Sequence, residues 1–339
     1  MKPPMHPVNS QTPQTTVQSA GPARTGRRHL LSLADLSDED IERIVRRSCA
    51  YAQGAVPLSS PLAGYVVGTY FRTTSTRTRT AFSVAALRLG AQVVAYGPHD
   101  LQENTGEIPA DTGRVLGQML DGLVARTSGN PAELRAIASG NAMSVINAMT
   151  EDEHPTQAIT DLSTMLAVLG RIRGLRVLYV GEGNNTCSAL VLALPRFPET
   201  ETYVLTPPGY GVRSDKMALA REYAARQGTL VEEWHDMLEL PQEVDVVYTT
   251  RWQTTGTTKP DPDWREIFSP FRVGVALMDR YPSAIFMHDL PAHRGEEVDG
   301  EVLDGERSIA FQQAAHKLYG AMAVLEWCLV PDAEGVRTP

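Results

Sequence analysis

The sequence predicts an α/β protein made of two doubly wound parallel-sheet domains with a cleft between them. Strand-like and helix-like runs alternate along the chain, the pattern of parallel sheets covered on both faces. The alternation comes in two blocks, separated by a long helical pattern at residues 155–169. The 339 residues suit two domains at roughly 150 residues each.

Residues 1–27 stand apart. They hold five prolines (Pro3, Pro4, Pro7, Pro13, Pro22), and the first acid is Asp35. The prolines spoil an amphipathic targeting helix and no secretory apolar core is present, so a disordered tail is expected. Order is expected from Arg28. Leu33, Leu36, Ile41, Ile44 and Val45 recur at helical spacing, with Ser37 placed to cap. In the first block, residues 64–71, 92–96 and 122–126 read as strands, and 78–89 and 111–120 as helices. In the second, strands are expected at 176–181, 202–206, 244–248 and 284–287, and helices at 186–194 and 214–226. A closing helix spans 308–329. The domains are expected at 28–153, completed by that closing helix, and at 154–307.

Lys and Arg total 31 against 40 Asp and Glu, a formal net charge of −9. Such a balance fits neither a general nucleic-acid binder nor an anionic-membrane binder. Hydrophobic residues at 42% exclude global disorder. No apolar run approaches the roughly 18 residues of a membrane span. Cys49, Cys187 and Cys328 are scattered and odd in number, which fits a reducing cytoplasm better than a disulfide framework.

Residues 71–82, FRTTSTRTRTAF, join a strand to a helix. Ser75, Thr76, Arg77, Thr78 and Arg79 crowd the turn. A helix start offers unpaired N–H groups and partial positive charge, to which hydroxyls and guanidinium forks add donors. This reads as a phosphate cradle without a glycine loop, or as helix capping with surface arginines. Arg126 closes the next strand but one, where open α/β sheets bind ligands; a surface ion pair is the alternative.

His154 precedes Pro155, which favours a first helical turn, and Gln157 shares its face. A His and an amide there suit a carbonyl and an NH2 group, or are a plain helix start. Residues 181–185, GEGNN, follow a strand but lack the third glycine of a dinucleotide fingerprint. Asn184 and Asn185 fill the turn and could bind a ligand or merely shape it. Residues 288–295, HDLPAHRG, close a strand; Leu290 before Pro291 is held out of the helical region and can present its carbonyl. His288, Asp289 and His293 match no metal-ligand spacing, and no metal or cofactor is expected.

Together these segments resemble the aspartate/ornithine carbamoyltransferase family, and more closely its ornithine branch. The matches run from Arg28 to Trp327. They include residues 75–79, Gln102 with Asp111-Thr112, Arg126-Thr127, Asn147-Ala148, 154–157, 181–185 and 290–298 (LPAHRGEEV). The resemblance implies an active-site cleft in which Ser75, Thr76, Arg77, Thr78 and Arg126 hold the phosphate of carbamoyl phosphate. It implies that His154 and Gln157 hold the carbamoyl group and the Leu290 carbonyl its NH2, with Lys317 also at the donor. Asn147 and Asn185 would hold an amino-acid acceptor. Gln102 would reach a neighbouring subunit's site within a homotrimer or a multiple of trimers.

The acceptor end departs from the pattern. Asp289 stands where the ornithine branch usually has a cysteine, and Thr250, before Arg251 and Trp252, where it has an aspartate. The usual Ser-Met-Gly loop is Thr254-Thr255-Gly256, and an arginine of the closing helix is Lys317. One carboxylate has gone at 250 and another has come at 289, which moves the negative charge within the pocket. The expected function is carbamoyl transfer to a small amino acid or diamine, catalysed by Arg77, Arg126, His154, Gln157 and Asp289. The expected acceptor is ornithine-like but differs from ornithine in length or shape. An ordinary ornithine carbamoyltransferase and a non-catalytic ligand-binding regulator are the alternatives.

Overall fold

The computed structural model describes residues 27–331, apart from 58, 239 and 255 and the side chain of 104. The expected tail, except for Arg27, lies outside the described residues. The first sheet holds β1 (Val66–Phe71), β2 (Gln92–Tyr96), β3 (Gly122–Arg126) and β4 (Ser144–Asn147), parallel and ordered β2-β1-β3-β4. Its helices are α1 (Asp38–Ala52), α2 (Arg77–Arg88), α3 (Pro109–Leu116) and α4 (Pro131–Ala138). The α5 helix (Pro155–Leu169) leads into the second sheet: β5 (Arg176–Val180), β6 (Glu201–Leu205), β7 (Leu230–Trp234), β8 (Val246–Thr249) and β9 (Ile285–His288). These strands are also parallel, ordered β7-β6-β5-β8-β9. Around them lie α6 (Asn185–Ala193), α7 (Ser214–Gln227) and the short α8 (Trp264–Phe268), α9 (Val275–Arg280) and α10 (Gly300–Leu303). The closing helix is α11 (Ala310–Leu329).

Local chemistry accounts for the helix ends. Ser37 Oγ accepts from the Asp40 N–H, and Asp38, Glu39 and Asp40 place negative charge on the first turn of α1. Pro155 opens α5, and Gly170 closes it at φ 70°, a left-handed position that a side chain would resist. The whole stretch 155–165 is buried, because α5 packs on α1 and α11 and also meets α6. One apolar cluster therefore runs through both sheets, from Val67 and Phe71 past Ile159 and Leu325 to Tyr179 and Val204.

Both sheets reverse their winding in the middle. The chain passes from β1 outward to β2, then returns to the other side of β1 for β3; likewise β5 runs out through β6 and β7 before β8 returns beside β5. Such reversal points leave a crevice beyond the strands' carboxyl ends. Phe71 pairs with Arg126 at the first, and Val180 with Thr249 and Thr249 with His288 at the second.

Some elements escape a pattern reading. The β4 strand is four residues long with a polar residue at each end, too short to alternate. Its edge is covered by Leu30, which exchanges backbone hydrogen bonds with Val145 and Asn147. The β7 strand carries Glu232 and Glu233 in its middle, charges that suit the edge of a sheet but break an apolar run. The α4 helix and the three short helices between 264 and 303 are likewise too brief for periodicity. The helix expected at 111–120 starts earlier, at Pro109, and ends at Leu116.

Candidate active site

The two crevices face one cleft of about 350 Å³. From the first sheet it receives Thr74, Ser75, Thr76, Arg77, Thr78 and Arg126; from α5 and the segment before it, Met149, His154 and Gln157. The second sheet supplies Asn184, Asn185 and Thr186, then Thr250, Arg251, Gln253 and Thr254, then Asp289, Leu290 and Pro291. Lys317 enters from α11.

The cradle is held by the β1–β3 pairing: the Arg72 N–H donates to the Arg126 carbonyl at 3.0 Å. The α2 helix starts at Arg77, and Thr76 makes no side-chain capping bond, so the first-turn amides are left to other acceptors. Arg126 is mostly buried. Burial brings its guanidinium down to about 10, opposed by Asp289 and reinforced by Arg77. Its Nε is buried with no hydrogen-bond partner among the described residues. Arg77 is lowered in the same direction by burial, against Asp289.

His154 is buried, and desolvation first, then Arg126 and Lys317, hold it well below the usual range, so the ring is neutral near pH 7. Its Nδ1 lies 3.2 Å from Thr156 Oγ1. Gln157 is not free-standing. Its Nε2 donates to Asp161 Oδ1 at 2.7 Å, and its Oε1 accepts from Lys317 Nζ. Asp161 also accepts from Gln313 Nε2 at 2.7 Å and from Tyr248 Oη at 3.0 Å. Burial pushes Asp161 up to about 7 despite these donors, and burial brings Lys317 down to about 8 against the pull of Asp289 and Asp161. The sequence reading missed Asp161, although it lies one helical turn from Gln157 on the same face.

Asp289 is the carboxylate of the cleft. Its Oδ2 accepts from Thr186 Oγ1 at 2.9 Å and its Oδ1 from Thr250 Oγ1 at 2.7 Å. Thr186 was not foreseen; Thr250 is explained as the hydroxyl that steadies Asp289. The neighbouring His288 accepts the Leu290 N–H on Nδ1 at 2.8 Å, so its hydrogen sits on Nε2, 3.2 Å from Glu297 Oε1. That imidazole organises the 288–297 turn rather than the cleft. Leu290 takes φ 53° and its bond to Pro291 is cis. A leucine in the left-handed region costs about 1–3 kcal/mol, and here that conformation goes with a place in the lining of the cleft.

Two expected contributors stand elsewhere, and a third is not described. Asn147 does not line the cleft; its amide donates to the Leu31 carbonyl at 2.9 Å and to Thr150 Oγ1 at 3.1 Å, and accepts the Met149 N–H at 2.9 Å. Those bonds make it a brace of the β4 edge rather than an acceptor contact. Gln102 is exposed on a short turn, away from this chain's own cleft. Thr255 lies outside the described residues.

Asn185 does line the cleft, but its Nδ2 donates to the Thr150 carbonyl at 2.8 Å, which leaves Oδ1 and the second Nδ2 hydrogen for a ligand. Asn184 caps α6 through the Thr186 and Cys187 amides, and donates to Thr254 Oγ1 at 3.1 Å. Gly183, the second glycine of the turn, serves close backbone packing, since a Cβ here would stand 2.2 Å from the Val212 nitrogen. Arg251 lines the cleft with its Nε buried and unpartnered among the described residues.

Residues 28–167 match the family model described as the carbamoyl-P binding domain of aspartate/ornithine carbamoyltransferase, and residues 173–328 match the Asp/Orn binding domain. An ornithine carbamoyltransferase of Symbiobacterium thermophilum is 37% identical over 302 residues, 88% of this chain and 96% of that protein. The ornithine carbamoyltransferase structure from Pyrococcus furiosus superposes with a TM-score of 0.83 at 34% identity, covering 89% of this chain and 97% of that one. The structure from Gloeobacter violaceus gives 0.80 at 34% identity, over 89% and 99%. Two parallel sheets meeting at their reversal points, matched end to end by both domain models, make this chain a member of the aspartate/ornithine carbamoyltransferase family of enzymes.

Proposed function

We propose that the chain transfers the carbamoyl group of carbamoyl phosphate to the side-chain amine of a diamino acid, with ornithine as the acceptor. The observation that carries this reading is the division of the cleft. One side presents a helix start and two arginines, suited to a phosphate; the other presents a carboxylate, Asp289, and Arg251, whose Nε lacks a partner among the described residues, suited to an amino acid bearing a second amine. The names of the relatives support ornithine. The carboxylate at 289 favours a second reading, in which the diamino acid is shorter or longer.

Ser75, Thr76, Thr78 and the α2 amides hold the phosphate, with Arg77 and Arg126. A Thr156 hydroxyl donating to Nδ1 keeps the His154 hydrogen on Nε2, free to donate to the carbamoyl oxygen. The Leu290 carbonyl, with a spare lone pair of Gln157 Oε1, accepts from the carbamoyl NH2. The neutral amine attacks the carbonyl carbon, the carbon–oxygen bond to phosphate breaks, and the amine's proton leaves with the phosphate. Arg77, Arg126 and His154 stabilise charge as it moves to oxygen. Asp289 holds the incoming ammonium and takes the first of its protons, which leaves the neutral amine that attacks. Incubation with carbamoyl phosphate and ornithine should yield citrulline by mass spectrometry. Product only with shorter or longer diamino acids would select the second reading, and no product from any amine would overturn both.

The lowered Lys317 gives a pH signature. A bound dianion stabilises the ammonium and raises its pKa, so the complex holds more protons than the empty enzyme at and above pH 8. Carbamoyl phosphate affinity is expected to fall as pH rises past about 8. Calorimetry in buffers of different ionisation enthalpy should then report proton uptake on binding.

The chain is further proposed to self-associate as a trimer, with Gln102 reaching a neighbour's cleft. Leu87 on α2, Val94 on the edge strand β2, and Ile108, Val115 and Met119 on and beside α3 are exposed apolar side chains of the kind a second copy would bury. Sedimentation is expected to give three times the 37.0 kDa chain mass or a multiple of it; a monomer would refute this.

A further inference from the structure

Between β8 and α8, from Thr250 to Asp263, the described residues (all but 255) form no helix or strand and include Gly256, Pro260 and Pro262. This segment carries Arg251, Gln253 and Thr254 into the cleft. Its far end carries Lys259, whose side chain is only 2% exposed. The ammonium lies 2.6 Å from Glu182 Oε1. It also faces three rings, with centroids at 4.5 Å (Phe268), 4.9 Å (Tyr210) and 5.5 Å (Trp264). The buried Trp252 packs on two of the same rings, its centroid 5.5 Å from Phe268 and 6.5 Å from Trp264.

Glu182 belongs to the 181–185 turn. Its second oxygen is 3.4 Å from Thr254 Oγ1, which also receives the Asn184 amide. One partly buried carboxylate thus ties two points of the irregular segment, Thr254 and Lys259, to the turn that carries Asn184 and Asn185. A desolvated ammonium gains from aromatic faces only while a counter-charge balances it, so cage and ion pair depend on each other.

We infer that Lys259 is a positioning residue for acceptor recognition: it pins the 251–259 segment to the 181–185 turn and so sets where Arg251, Gln253 and Thr254 stand. It does not line the cleft. The inference rests on the proposed acceptor site, but the pinning itself is testable without turnover. In K259M, an apolar side chain of similar length keeps the cage filled and removes the charge; K259R keeps the charge; E182Q removes the partner charge and leaves the lysine.

Hydrogen exchange of the 251–259 amides is expected to speed up at least about tenfold in K259M and E182Q and less in K259R, matching a tether worth a single tenfold step. With ornithine, the acceptor KM should rise about tenfold in K259M and E182Q, kcat should stay within about threefold, and calorimetric affinity for carbamoyl phosphate should be unchanged. Unchanged exchange in K259M and E182Q would overturn the inference. So would faster exchange with an unaltered acceptor KM, or an equal loss of carbamoyl phosphate affinity in E182Q. If K259M fails to fold, E182Q decides alone by the same readouts. If the wild type carbamoylates neither ornithine nor a shorter or longer diamino acid, the functional reading fails, and the exchange data still decide whether Lys259 pins the segment.

Discussion

Arg126→Met is expected to lower kcat by about 10²–10³-fold, the usual cost of removing one donor aimed at charge that develops in the transition state. The side chain ends β3 beside the start of α2. Its pKa is drawn down to about 10 by burial, and its Nε lacks a partner among the described residues. Such a cation weakens the empty protein and gains most when a dianion arrives. Methionine fills similar space without the charge, so the melting temperature should hold or rise while turnover collapses. Steady-state kinetics with scanning calorimetry would check both halves. A kcat within threefold of wild type would remove Arg126 from the donor site.

Asp289→Asn is expected to move the two substrates in opposite directions. Asp289 is a named counter-charge to Arg77, Arg126 and Lys317. Asparagine keeps the shape, and its carbonyl and amide can still pair with the Thr186 and Thr250 hydroxyls. Without the negative charge, carbamoyl phosphate should bind about tenfold more tightly, a 1.4 kcal/mol change that is modest against unscreened Coulomb values. The acceptor KM should rise by about the same factor, since the ammonium loses its partner. Weaker carbamoyl phosphate binding would show that Asp289 supports the cradle rather than opposing it.

The chain's strands and long helices were legible where their pattern had room to repeat. The β2, β3 and α5 boundaries follow the apolar periodicity of the sequence, and Ser37 and Pro155 mark helix starts by chemistry that needs no tertiary context. That Ser75 to Thr78 and Arg126 line one cleft was legible for the same reason, since four of them are contiguous and Arg126 sits at a strand end; Arg79, read with them, is not part of that lining. What escaped depends on contacts between distant segments. Asn147 looks like a ligand-binding amide until Leu31 and Thr150 are seen to occupy it. Thr186 gains meaning only through Asp289, 103 residues away. Gln157 proves to be one link in a chain from Lys317 to Asp161, and no local pattern announces that pairing across 160 residues.

The facing reversal points of the two sheets carry a consequence for change over time. The groups proposed to hold carbamoyl phosphate hang from the ends of β1 and β3, and those proposed to choose the acceptor hang from the ends of β5, β8 and β9. On that proposed division, a handful of positions on one sheet, such as 250 and 289, can change without touching the half proposed to hold carbamoyl phosphate. Libraries confined to those strand ends would explore new amines while every member keeps the proposed donor site intact.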